Sequence, residues 1–204
     1  MLEAQTLAAR RGFASLFAGL SFRVAPGEAL IVTGPNGTGK TTLLRMLAGL
    51  CAPTAGQILW NGTPAAPFDR ALRAVLTFVG HLPALKDELT AEENLASLVA
   101  LEGDAVDRSA IVDALDNVAL TRQRALPARV LSQGQRRRIG LARLSLSARP
   151  LWILDEPLTA LDDAGATLLT RIVGGHLVKG GLLVAATHAP LGLPETQLRA
   201  LALA

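Results

Sequence analysis

Residues 34–41 read GPNGTGKT, and every fixed position of the phosphate-loop pattern G-x-x-x-x-G-K-[ST] is filled. The flanks agree with the pattern. Ala29 to Val32 is an apolar, strand-like run, and the KTTLLRMLAGL that follows has helical spacing at Leu43, Leu44, Leu47 and Leu50. Gly34, Gly37 and Gly39 permit a tight turn whose backbone N–H groups wrap a phosphate at the helix N-terminus. Pro35, Asn36 and Thr38 complete the loop, and Thr42 follows it. Lys40 offers a point charge to the terminal phosphates, and the Thr41 hydroxyl is placed to ligate Mg²⁺. This stretch predicts a bound nucleotide and an α/β core.

Outward from the loop, LSFRVAPGEALIVT at 20–33 splits into two strand-like pieces at Pro26–Gly27, and QILWNG at 57–62 reads as a short strand closing at a turn. RALRAVLTFVG at 70–80 is a further apolar stretch. Between about 86 and 149 the pattern turns helical, with Thr90 and Glu93 spaced as a capping box at the start of LTAEENLASLVALEG. From 150 the strand–helix alternation returns in LWILD, AGATLLTRIVGGHL and GLLVAAT. The plan is one domain: a core of about residues 1–85 and 150–204, interrupted by a helical subdomain of about 86–149.

LWILDEP at 151–157 supplies the second half of a nucleotide hydrolase. Asp155 follows four apolar residues, the pattern of a buried parallel strand, and would hold Mg²⁺ through its water shell. Glu156 would orient or deprotonate the attacking water. LSQGQRRR at 131–138 adds a separate anion site. Ser132 is placed to cap a helix from about 133 to 147, and Gly134 removes bulk where an anion would meet that N-terminus. Arg136, Arg137 and Arg138 are expected to spread over the exposed faces of this helix.

LSQGQ resembles the signature motif of the ABC-type ATPases, and the resemblance covers essentially the whole chain. It implies a P-loop NTPase core with a mixed or parallel sheet and an inserted helical subdomain, ATP and Mg²⁺ as ligands, and ATP hydrolysis. It further implies that the signature of one copy (Ser132, Gly134, Gln135) closes over the γ-phosphate held by another, so that ATP drives homodimerisation. LTALD at 158–162 matches the family's D-loop, which places Asp162 toward the dimer partner. His188 matches the switch histidine at the γ-phosphate. Arg11, with Phe13 close by, stands where the family has an adenine-stacking aromatic, and a guanidinium can also stack on a base. One departure is clear: His81 occupies the position of the family's glutamine near Mg²⁺ and water. With GH…LK..LTA.ENL, PLWILDEP.TALD and THAPL, it makes the chain similar to the ATP-binding subunits of cytochrome c maturation (haem export) systems. That likeness implies integral membrane permease partners and a peripheral place on the cytoplasmic face of the inner membrane. Other ABC exporters, or a soluble ABC protein, are the alternatives.

Composition narrows the classes. Half of the 204 residues are hydrophobic, which supports a sizeable core, and the net charge is only +3. Cys51 is the single cysteine, so no intrachain disulfide forms. The first residues, MLEAQTLAARRGF, do not read as a signal peptide, and no apolar run approaches the ~18 residues of a membrane span. Aromatic residues are 3% of the chain and tyrosine is absent, which argues against a stacking platform and predicts no nucleic-acid partner. No haem-attachment motif occurs, and no direct haem binding is expected. A small-molecule kinase would share the phosphate loop but leave LSQGQ unexplained.

Overall fold

The computed structural model describes residues 1–103 and 105–204. Two separate sheets carry the strands. Strands β1 (Leu2–Arg11), β2 (Ala14–Val24), β4 (Ala55–Trp60) and β5 (Thr63–Pro64) form an antiparallel sheet in the order β2-β1-β4-β5. Strands β3 (Ala29–Thr33), β6 (Leu76–Val79), β7 (Leu151–Asp155), β8 (Leu182–Ala186) and β9 (Leu198–Ala202) form a parallel sheet in the order β6-β7-β8-β3-β9. The mixed character expected of the sheet is thus divided between two sheets. The apolar stretch at 70–80 also divides, into helix α2 (Arg70–Val75), capped by Asp69, and strand β6.

The central strands explain themselves by period-two alternation. Every residue of β7 and β8 is buried, because both faces of the parallel sheet are covered. Leu151, Ile153, Leu182 and Val184 point to a core shared with helix α1 (Lys40–Leu47) and the antiparallel sheet. Trp152, Leu154, Leu183 and Ala185 point to a second core on the other side. There they meet helices α3 (Ala91–Glu102), α4 (Arg108–Asn117), α5 (Gln133–Leu146) and α6 (Asp163–Val178). The three helices α3–α5 pack on one another and share this apolar cluster with α6 and the sheet.

Local chemistry starts two of those helices. The Thr90 hydroxyl accepts from the Glu93 N–H while the Glu93 carboxylate accepts from the Thr90 N–H, which closes a capping box at α3. Ser132 and Gln135 do the same at α5, at 3.2 and 2.9 Å. Among the described residues no helix is long and apolar enough to cross a membrane.

Candidate nucleotide site

Parallel strands deliver their carboxyl ends to one edge of the sheet, where ligands of open α/β folds bind. Here β3 runs into the Gly34 loop, β6 into Gly80 and His81, β7 into Asp155 and Glu156, and β8 into Thr187 and His188. A hollow of about 370 Å³ opens at this edge. It is lined by Arg11, Leu16, Asn36, Gly37, Gly39, Lys40, Thr41, Thr42, His81, Asp155 and Glu156. Residues from four separate parts of the sequence, chosen for their chemistry, therefore meet in one place. Leu16 joins them without any signal in the sequence; it faces the hollow only because β2 folds back along β1.

The loop is built by glycine where nothing else fits. Gly34 has φ 138°, and a Cβ there would stand 2.3 Å from the Leu203 carbonyl oxygen. Gly39, at φ 101°, begins α1 with its back against Leu16 and the Phe17 ring, 3.1–3.2 Å from where a Cβ would be. The buried Lys40 ammonium donates to the Gly34 and Pro35 carbonyls at 2.6 and 3.0 Å, and the Thr38 hydroxyl also donates to Pro35, at 3.0 Å. Lys40 is held over the loop, where a phosphate oxygen could replace either carbonyl.

Across the hollow, the Thr41 hydroxyl donates to Asp155 Oδ2 at 2.9 Å, and Asp155 is buried. These are two hard oxygen donors of the kind Mg²⁺ takes alongside substrate phosphates, so the pair fits that metal. Glu156 lies next to them with its carboxylate half-buried and 3.6 Å from His188 Nε2. Its backbone has φ 50°, a left-handed conformation uncommon outside glycine, and its N–H donates to the Ala186 carbonyl at 2.9 Å. His81 is exposed and faces the same hollow, as its position after β6 predicts.

The signature residues sit elsewhere. Ser132, Gly134 and Gln135 line a second hollow of about 450 Å³ with Ala119, Arg138, Ala160 and Asp162, and the two hollows share no lining residue. Gly134 is needed here for close approach, since a Cβ would lie 2.9 Å from the Ala160 carbonyl oxygen. Asp162 caps α6 by accepting from the Gly165 N–H at 2.9 Å and pairs with Arg138 at 2.7 Å. The Gly165 N–H, and after it the Arg138 guanidinium, hold the Asp162 carboxyl below its ordinary value.

The expectation that Arg136, Arg137 and Arg138 spread over exposed helix faces does not hold. Arg137 is buried, Arg138 is occupied by Asp162 and the Val118 carbonyl, and Arg136 by Asp87 and the Ala128 carbonyl. Each guanidinium finds acceptors outside its own helix, so the run of three charges gave no sign of it. Of the apolar residues just past β6, Leu82 is 79% exposed, while Leu85 packs against the helical core.

Comparison with known proteins gives the family. The ABC transporter family model matches residues 17–159. The chain is 52% identical over 201 residues to the cytochrome c biogenesis ATP-binding export protein CcmA of Aromatoleum aromaticum, covering 97% of this chain and 94% of that protein. It is 48% identical over 197 residues to the protein of the same name from Pseudomonas aeruginosa, covering 97% of each. Among solved structures, a putative ABC transporter ATP-binding protein from Pyrococcus furiosus superposes with a TM-score of 0.84 over 99% of this chain and 96% of that one, at 24% identity. On the family match over most of its length and these near-full-length identities, the chain belongs to the ABC transporter ATP-binding family, among the cytochrome c biogenesis ATP-binding export proteins.

Proposed function

We propose that this chain is the ATP-hydrolysing subunit of an ABC-type membrane complex and that it powers the haem-export step of cytochrome c maturation. The observation that carries the hydrolytic part is the meeting of Lys40, Thr41, Asp155 and Glu156 in one hollow while Ser132 and Gly134 line another. One chain thus holds two halves of different sites, and two copies related by a twofold axis complete both. The cytochrome c assignment is supported by relatives that are cytochrome c biogenesis ATP-binding export proteins, 48–52% identical over nearly the full chain.

In this reading the loop N–H groups and Lys40 bind the β- and γ-phosphates, and Arg11 stacks on the base. Thr41 and Asp155 would hold Mg²⁺, which when bound neutralises charge on the phosphates. Glu156 takes a proton from the attacking water, and His188, 3.6 Å away, is within reach of the γ-phosphate region. His81 stands beside the same water through its ring nitrogen. Ser132, Gly134 and the N-terminus of α5 receive the γ-phosphate bound to the second copy, with Asp162 lying along the interface. The transport path belongs to integral membrane permease subunits, and the chain sits peripherally on the cytoplasmic face of the inner membrane.

Glu156→Gln keeps the shape of the site and removes the base. The variant should lose at least about 100-fold in hydrolysis and accumulate as a dimer when ATP and Mg²⁺ are present. Size-exclusion chromatography at high protein concentration, with the membrane partner supplied in a parallel sample, checks this; a monomer in both samples overturns the shared site.

A further inference from the structure

Arg137 lies in the second turn of α5 and is 5% exposed. Its guanidinium donates to four main-chain carbonyls. Nη1 donates to Gly80 and His81 at 3.0 Å each, and Nη2 donates to Asp155 at 3.0 Å and to Glu156. These four carbonyls lie at or just past the carboxyl ends of β6 and β7, two on each. Their residues carry the side chains of His81, Asp155 and Glu156, which line the nucleotide hollow.

A guanidinium suits this place because its planar fork presents donors in fixed directions to two strand ends at once. Burial pushes the group's pKa down, and the charges of Asp155 and Glu156 act the other way. Glu156 needs such support. Its left-handed backbone, at φ 50°, persists only where neighbours hold it, and two bonds do so: Ala186 accepts from its N–H and Arg137 donates to its C=O.

We propose that Arg137 is a positioning residue for hydrolysis: it fixes the main chain beneath His81, Asp155 and Glu156 and ties their geometry to α5, whose N-terminus bears Ser132 and Gly134. It touches no nucleotide. The arrangement makes the anion-binding end of α5 and the chain's own carboxylates one mechanical unit. When a second copy's phosphate seats against Ser132, the resulting shift of α5 reaches Glu156 through a single side chain. This inference rests on the hydrolytic reading given above.

The test uses the full chain and three variants: Arg137→Lys, Arg137→Gln and Arg136→Gln. The last removes a neighbour on the same helix that pairs with Asp87 and the Ala128 carbonyl instead. Nucleotide affinity is measured with a fluorescent ATP analogue, kcat and KM by steady-state hydrolysis, and folding by thermal melting. Arg137→Gln should keep affinity and KM within about threefold of wild type and lose about 10- to 100-fold in kcat, the scale of a small misplacement of reacting groups. Arg137→Lys should lose most of that too, because one ammonium cannot span four carbonyls. Arg136→Gln should stay within about twofold of wild type.

Wild-type kcat in a folded Arg137→Gln overturns the proposal, and so does a parallel loss of affinity and kcat, which marks a merely structural staple. If Arg137→Gln fails to fold, Arg137→Lys decides by the same criteria. Failure of both to fold also overturns positioning in favour of the staple. Glu156→Gln is run alongside: if it hydrolyses ATP normally, the assignment of the base has failed, and that result is independent of what Arg137 does.

Discussion

Trp152 and His176 stack with ring centroids 3.8 Å apart and planes 5° from parallel, on the side of β7 opposite α1. His176 also reaches the Leu182 carbonyl at 3.1 Å, so it clamps α6 to the sheet far from the nucleotide hollow. Burial pulls the imidazole below its ordinary 6.5, and the Leu182 and Pro150 carbonyls oppose this less strongly. The folded state therefore prefers the neutral ring, and the unfolded chain takes up the proton first as pH falls. Stability from this residue is full above about pH 6.5 and is lost as pH drops below it. Thermal melts between pH 8 and 5.5 should show a steeper fall for wild type than for His176→Phe, which keeps a ring against Trp152; equal slopes would remove His176 as a cause. Arg137 makes a related point about legibility. Its importance lies in four carbonyls from residues 80, 81, 155 and 156, and nothing in the RRR run distinguishes it from Arg136 or Arg138.

At the scale of elements, α5 serves two ends. Its capping box satisfies backbone N–H groups at the N-terminus, and the same Ser132 lines the signature hollow. Ser132→Ala should cost about 1 kcal/mol of stability through the lost cap, which lowers the melting temperature by about 2–4 °C in a chain of this size. If the hollow also receives a phosphate, the variant should lose nucleotide-driven dimerisation as well. Thr90→Ala removes the equivalent cap from α3 and should lower the melting temperature while leaving dimerisation intact. Calorimetry and light scattering on both variants separate the capping role from the anion role. Strand β1 shows the opposite kind of element. Its buried residues Leu2 and Ala4 are followed by Leu7 and Ala9, with the phase reset at Thr6, whose φ is 49°. That irregularity, accommodated where Gly56 approaches the Gln5 and Thr6 carbonyls, breaks the alternation by which a strand is recognised.

At the scale of the whole molecule, the parallel sheet sets the nucleotide edge, and the helices α3–α5 cover one face and carry the signature. Leu82, 79% exposed just past β6 and beside His81, joins that edge to the helical segment. Leu82 is our proposed contact for the membrane partner, whereas Leu85 packs against the core. Leu82→Asp should retain nucleotide binding and the wild-type melting temperature yet fail to co-purify with the membrane partner. Retained co-purification would move docking to another surface, and Leu85→Asp, by contrast, should lower the melting temperature.

Whatever local chemistry requires to be contiguous could be read directly from the order of residues. A phosphate loop needs its glycines, lysine and threonine in one turn, a buried parallel strand needs an unbroken apolar run before Asp155, and a capping box needs three-residue spacing. For that reason the α/β core and the segments GPNGTGKT, LWILDEP and LSQGQ were legible, and the family followed from their resemblance to known motifs. The tertiary structure alone decided how the strands divide into an antiparallel and a parallel sheet and that Leu16 faces the nucleotide hollow. It also decided that Ser132 and Lys40 face different hollows, and which arginine is buried. Those outcomes depend on main-chain groups brought together from distant positions, and a carbonyl oxygen is the same in every residue, so no side-chain pattern can announce where it will be needed.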